Sequence, residues 1–345
     1  MKGAAALALV VFAAACARSK PKPDAHAAHE PSAVEVEDAI HGVRYELPPG
    51  DEVWQVSRNG EARTASGVEA EVGWFPLAKA ATPQACRERE RQLLSKDGEG
   101  EAPRDEAAED DGAAWSYSSG SGTAEVRKHL AFFPRGADCL VLRVSAAKGD
   151  KFADRTFEAA RKGLRVLPLP AERQRELDLM AGSSFLERRE PEAALDRFEA
   201  LAQRDPGLAK AQYGALLAGY AIGPKSYGRA LPHGLLALRA ERELSPEQRQ
   251  VALRAVGVMQ LAENHIREAA DTLAELVVRS PDLAEGQYNY ACALARLGDT
   301  PGALDHLRKA VQLDGELIAA ARSDDDLKSL RGQADFERLL SSSSK

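Results

Sequence analysis

The stretch Gln287-Tyr288-Asn289-Tyr290-Ala291-Cys292-Ala293-Leu294-Ala295-Arg296-Leu297-Gly298-Asp299 decides the fold. Its apolar residues recur at helical spacing, and Gly298 ends the helix. Ala303, Leu307 and Ala310 continue the rhythm to Leu313-Asp314-Gly315, so the unit is a pair of helices. Moving back 34 residues turns Ala291 into Gly257, Ala303 into Ala269, Leu307 into Leu273 and Gly315 into Pro281. A further copy holds Gly182, Phe185, Ala194, Phe198 and Asp205-Pro206 at the same internal spacing. Small residues recur where paired helices cross closely, and large ones recur where neighbouring pairs interlock. Gly182 and Gly257 lie 75 residues apart, against 68 for two periods, so the unit between them carries about seven extra residues. That unit begins at Leu208 and is interrupted near Gly223-Pro224-Lys225-Ser226-Tyr227-Gly228. The extra residues are expected to lengthen the turn between its helices and kink the stack there. After Asp314 the chain supplies Ile318 to Arg322, Asp324-Asp325-Asp326-Leu327 and Phe336 to Leu340, which read as capping helices. A stack of hairpins needs such a cover on its exposed apolar end.

The pattern resembles the tetratricopeptide repeat (TPR) family over about 140 residues. The resemblance implies a solenoid of about four units over 171–317, with 318–345 as its cap. It also implies a concave face built from the first helix of each unit, at positions 2, 5, 9 and 13. In the first unit these are Glu176, Leu179, Ser183 and Glu187. The second gives Lys210, Tyr213, Leu217 and Ala221, and the third gives Val251, Arg254, Val258 and Ala262. The fourth gives Glu285, Tyr288, Cys292 and Arg296. A groove mixing Tyr, Arg and Glu suits a protein or peptide partner, because Tyr and Arg are common interface anchors. The competing reading fills the same groove with the protein's own N-terminal domain or capping segment. The two-carboxylate clamp of chaperone-binding members is not evident, so an acidic C-terminal peptide is not implied. Arg254 and Tyr288 are expected to hold the partner without contributing to stability.

Upstream, the texture changes at Leu167-Pro168-Leu169-Pro170. Before it, residues 36–168 alternate apolar and polar positions between turn signals. Strands are expected at 43–47, 52–57, 68–77, 114–118, 125–133 and 139–145. Helices are expected from Thr82-Pro83 to about Ser95 and from Lys151 to about Leu164. Thr82 and Pro83 suit a helix start. The acidic, Gly-bearing run Lys96–Gly112 reads as a mobile loop. The result is an α+β domain, an antiparallel sheet with two helices, followed by an all-α TPR-like solenoid. Its element order resembles PsbP/Mog1-like domains.

The N-terminus bears on location. Met1-Lys2-Gly3 precedes an uncharged run, Ala4 to Ala15, too short to span a bilayer, which takes roughly 20 residues. Ala13-Ala14-Ala15-Cys16 resembles the lipobox of bacterial lipoproteins, although Ala13 stands where the family usually has Leu. Ala13-x-Ala15 also suits ordinary signal cleavage. Residues 1–15 are thus read as a signal peptide, Cys16 as the lipidated residue, and 16–35 as a flexible polar tether. The expected location is the bacterial envelope, at the outer membrane facing the periplasm, with the lipid as the membrane contact. Export exposes thiols to oxidation. Of Cys16, Cys86, Cys139 and Cys292, the pair Cys86–Cys139 joins helix to sheet as a candidate disulfide; two separate buried thiols are the alternative.

Other chemistry is thinly signalled. The formal net charge of −7, without basic clusters, argues against nucleic acid. His26-x-x-His29-Glu30 lacks a third fixed ligand. Asp324-Asp325-Asp326 lacks the spacing and glycine of a calcium loop and suits a helix N-terminus. Cys292 has no histidine within a turn. No phosphate-binding loop, dinucleotide fingerprint or nucleophile elbow appears. The reading is a non-enzymatic scaffold with no cofactor and no metal. Two rivals place activity in residues 40–166: a hydrolase, which requires a histidine–carboxylate pair at His41 or His129, or a small-ligand site, which requires a pocket in the sheet.

Overall fold

The computed structural model describes residues 32–50, 52–96, 104–109, 112–120, 125–240 and 242–341. Cys16, the signal segment, most of the tether, and His26, His29 and Glu30 lie outside these residues.

A sheet domain with two helices precedes an all-α, TPR-like solenoid. Strands β1 (Val34–Asp38) and β2 (Val43–Leu47) pair antiparallel, and β10 (Arg165–Val166) joins β2. The main sheet contains β3 (Gln55–Val56), β4 (Ala62–Arg63), β5 (Glu69–Pro76), β6 (Arg104–Ala108), β7 (Ala114–Ser119), β8 (Val126–Arg135) and β9 (Asp138–Ala147). Its order is β3-β4-β5-β9-β8-β7-β6, all antiparallel.

Alternation along β9 sends Cys139 and Val141 to one face and Leu140, Leu142 and Val144 to the other. Helix α1 (Pro83–Lys96) covers part of the first face, over Trp115, Leu130 and Phe132. A disulfide joins Cys86 of α1 to Cys139 of β9. Helix α2 (Lys151–Gly163) covers the second face with β1 and β2, burying Phe157. Asp150 starts α2 by accepting from the amides of Phe152 (2.8 Å) and Ala153 (3.2 Å).

Two features differ from the sequence reading. The run Lys96–Gly112 is not loop throughout, since β6 lies within it and pairs with β7. Being an edge strand whose Arg104, Glu106, Ala107 and Ala108 are exposed, it needs no apolar alternation to form. Strand β1 extends the domain upstream to Val34, into the stretch read as tether.

The solenoid pairs α3 (Ala171–Glu187) with α4 (Pro191–Arg204) and α5 (Ala209–Ile222) with α6 (Tyr227–Arg239). It continues with α7 (Pro246–Ala262) and α8 (Ile266–Arg279), then α9 (Ala284–Leu297) and α10 (Thr300–Leu313). The small positions act as the period requires. A Cβ on Gly182 would lie 2.5 Å from the Phe198 ring, and one on Gly257 2.6 Å from Leu273. Each unit turns between its helices through one left-handed residue: Arg189 (φ 60°), Gly223 (φ 95°), Asn264 (φ 64°) and Gly298 (φ 85°).

These four residues locate the insertion after Gly223, and most of it is not in the inter-helix turn. A short 3-10 turn, Pro224–Ser226, leads straight into α6, closed by the Ser226 hydroxyl donating to the Gly219 carbonyl at 2.7 Å. The extra residues lie mainly in the connection 240–245 and in α7, which has 17 residues against 14 in α5 and α9. A capping box between Ser245 and Gln248, with Pro246 next to it, starts α7 one turn early.

Helix α11 (Leu317–Ser323), a 3-10 segment (Asp325–Leu330) and α12 (Ala334–Ser341) form the cap. Leu327, Leu330 and Phe336 are buried in the same core as Ala291 and Leu307. Among the described residues no helix is long and apolar enough to cross a membrane.

Candidate functional site

The first helices of the four units carry the residues assigned to the concave face, and the structure divides them into three groups. Ser183, Glu187, Lys210, Ala221 and Ala262 are exposed. Tyr213, Leu217, Val251 and Val258 are half-buried, so each keeps apolar surface available beside a packed base. Glu176 is exposed and pairs with Arg173 at 2.6 Å, while Leu179 belongs to the packing between the first two units. Arg254 donates to the Glu285 carboxylate, a largely exposed link between the third and fourth units.

The fourth unit corrects the groove assignment. Tyr288 is 7% exposed, and its hydroxyl donates to Asp324 Oδ2 at 2.8 Å. Burial and the Asp324 carboxylate raise the pKa of that hydroxyl, so it stays a donor. Arg296 donates to the Leu261 carbonyl and to Asn264 Oδ1, both at 2.7 Å, and pairs with Asp326 at 3.1 Å. Tyr288 and Arg296 therefore hold the cap and the preceding unit and do not face a partner. The cap continues the stack where a fifth unit would lie, and its carboxylates take the groove's donors.

Cys292 is buried beneath the same contact, its thiol 3.8 Å from Asp324 Oδ2. Burial and the two carboxylates push the thiol far up, which removes its nucleophilic form. Donor atoms of Cys292, Asp324 and Asp326 lie within 4.8 Å of one another. Each already has a partner: Asp324 the phenol, Asp326 the guanidinium, Cys292 the Asp324 carboxylate.

At its other end the stack is tied to the sheet domain by side-chain contacts. Arg197 of α4 donates to Asp138 Oδ1 at 2.6 Å and lies 3.1 Å from Asp178. Arg204 also donates to Asp178, and Arg173 Nε donates to the Ile40 carbonyl at 2.9 Å. Asp138 and Asp178 are both buried. Burial raises the Asp138 carboxyl, and the Arg197 guanidinium opposes that shift.

Sequence reasoning missed this junction, but a signal for it exists. Arg197 and Asp178 occupy positions filled in the second unit by His233 and Gln212 and in the fourth by His306 and Gln287. There the Gln amide donates to a proline carbonyl of the preceding connection (Pro206 at 2.9 Å, Pro281 at 2.7 Å) and its oxygen meets the histidine Nδ1 (2.6 and 2.7 Å). In the first unit the same place carries a charge pair that reaches the other domain.

The sheet domain holds both histidine–carboxylate pairs that the hydrolase rival requires. His41 Nδ1 lies 2.5 Å from Asp38 Oδ2, but Asp38 is fully buried and also accepts from the amides of Ile40 and His41. That pair locks the β1–β2 turn. His129 Nε2 lies 3.1 Å from Asp154 Oδ1, in a cavity of about 320 Å³. Its ring stacks on Phe157, and burial lowers its pKa. The adjacent Ser116 hydroxyl accepts from Arg127 at 2.9 Å. Among the described residues no hydroxyl or thiol is hydrogen-bonded to either imidazole, so neither pair is joined to a nucleophile.

A larger trough of about 1440 Å³ opens on the α1 face of the sheet. Arg143 at its floor donates to both oxygens of the buried Glu90 (3.0 and 3.1 Å) and lies 3.8 Å from Glu71. Gly73 makes room for that guanidinium, since a Cβ there would lie 1.9 Å from Arg143 Nη1.

No family profile matches the chain, and no curated protein matches it. Solved structures do resemble it. MamA from Desulfovibrio magneticus RS-1, from its residue 41 to the end, shares 21% identity at a TM-score of 0.37, covering 48% of this chain and 93% of that one. Another MamA protein shares 13% at 0.40, covering 48% and 86%. YrrB, described as a TPR protein with an unusual peptide-binding site, shares 19% at 0.35, covering 47% and 88%.

Proposed function

We propose that this chain is an exported, lipid-anchored scaffold without catalytic activity, whose solenoid holds a segment of a protein partner during envelope assembly. The reading places it at the outer membrane, facing the periplasm, tethered through Cys16 and residues 17–31. The observation that carries it is the middle of the groove. Tyr213, Leu217, Val251 and Val258 offer half-buried apolar and aromatic surface, while side-chain contacts tie the sheet domain and the cap to the first and fourth units. That face suits a short segment anchored by apolar side chains, with Lys210, Arg254 and Glu187 beside it.

Photo-crosslinking in intact cells tests the groove. A crosslinker at Val251 or Val258 is expected to trap one common adduct, and a crosslinker at Leu236 on α6, outside the groove, is expected to trap none. Equal trapping at all three sites would remove the groove assignment. Metabolic labelling with a radiolabelled fatty acid tests the anchor: label on the parent and none on Cys16→Ala is expected, and label on both would discard it.

A further inference from the structure

The trough above the main sheet has a floor whose composition is set by register. Directly opposed residues project from the same face of a sheet. Tyr117 of β7 opposes Lys128 of β8, Lys128 opposes Ser145 of β9, and Ser145 opposes Glu69 of β5. All four line the trough. With strands about 4.8 Å apart, the three positions Tyr117, Lys128 and Ser145 span about 10 Å across the sheet and carry a hydroxyl, an ammonium and a hydroxyl.

These donors are free for a ligand. Among the described residues Lys128 has no carboxylate partner; its ammonium lies 6.0 Å from the centre of the Tyr117 ring. The neighbouring carboxylates Glu71 and Glu90 are taken by Arg143. Burial, then the Glu90 charge, pushes the Tyr117 hydroxyl up to about 12, so it remains a donor at neutral pH. Glu69, exposed, stands on the far side of Ser145 from the ammonium. The wall beside the row is apolar: Leu93 and Leu94 of α1, Leu130 and Val126. A positive centre flanked by hydroxyl groups and backed by an aliphatic wall complements an oxyanion attached to a hydrocarbon body.

We propose that this trough binds an aliphatic monocarboxylate, its carboxylate on Lys128 between Tyr117 and Ser145 and its chain along Leu93, Leu94 and Val126. The site is independent of the solenoid groove and stands or falls without it.

Titration of the full chain with decanoate, followed by calorimetry and by amide chemical shifts, tests the assignment. Saturable binding is expected, with decanol at least tenfold weaker because it lacks the charge. Lys128→Met is expected to weaken decanoate at least tenfold, and Tyr117→Phe severalfold, with shifts confined to β7, β8, β9 and α1. No saturation by about 1 mM decanoate would overturn the proposal. So would equal binding of decanol, a comparison made on the unmodified protein, or undiminished binding by folded Lys128→Met.

Discussion

Tyr288→Phe removes one hydroxyl and leaves the ring, so it separates a cap-holding role from a partner-binding one. The hydroxyl donates to the Asp324 carboxylate at 2.8 Å, from a side chain only 7% exposed. A hydrogen bond to a charged group contributes about 1.5–3 kcal/mol. Asp324 is half-buried and keeps the Asp326 amide at 2.9 Å on its other oxygen, so water can replace part of what is lost. The expected cost is therefore at the lower end, about 1–2 kcal/mol. For a solenoid of this size that lowers Tm by roughly 2–8 °C. Calorimetry and guanidinium unfolding read it directly. A double-mutant cycle with Asp324→Ala should show coupling of about 1 kcal/mol, because each change alone removes the same bond. Arg254→Met serves as contrast: its pair with Glu285 is largely exposed, and such pairs contribute about 0–1 kcal/mol. An unchanged Tm in Tyr288→Phe together with weakened partner crosslinking would refute the reasoning and return Tyr288 to the groove.

Four further outcomes are expected. Burial holds His129, His233 and His306 below the ordinary imidazole pKa, so between the folded and unfolded values the unfolded chain binds more protons. Stability is then fully present above about pH 6.5 and falls on acidification through that window; equal unfolding free energies at about pH 5 and pH 7.5 would contradict it. Arg197→Met strands the buried Asp138 and leaves Asp178 with fewer partners, which should cost about 3 kcal/mol and open the 167–170 connection to limited proteolysis; an unaltered digestion pattern would count against the junction. Replacing Cys86 and Cys139 by Ala opens a 53-residue loop and should cost about 4 kcal/mol, while alkylation of the unfolded exported parent should label Cys292 without reduction and add two further adducts only after reduction. Arg189→Gly relieves a left-handed non-glycine residue at an exposed turn and should raise stability by about 0.5–1 kcal/mol, read from the denaturant midpoint.

What the sequence makes legible follows from what each position must satisfy. Gly182 and Gly257 are readable because a Cβ there would meet Phe198 or Leu273, so the period is written in residue size. The two faces of β9 are readable because both are packed and its strand neighbours alternate with it. Strand β6, Arg-Asp-Glu-Ala-Ala, is not, because an exposed edge strand is specified by backbone pairing with β7 and by nothing its side chains announce.

The groove shows the same limit at a functional position. Helical spacing determines that Glu285, Tyr288, Cys292 and Arg296 share a face, but spacing is blind to what covers that face. The information lies in the cap, where Asp324 starts the 3-10 turn through the Asp326 amide and presents its second oxygen to Tyr288. Read along the chain, Asp324-Asp325-Asp326 is only a helix start. Placed one unit beyond α9, it is also the acceptor for Tyr288 and Arg296. The cap therefore does more than shield apolar surface. It engages the fourth unit's Tyr288 and Arg296 internally, so the proposed binding of a segment rests on Tyr213, Leu217, Val251 and Val258 in the middle units, whose side chains have no such acceptor in the cap among the described residues.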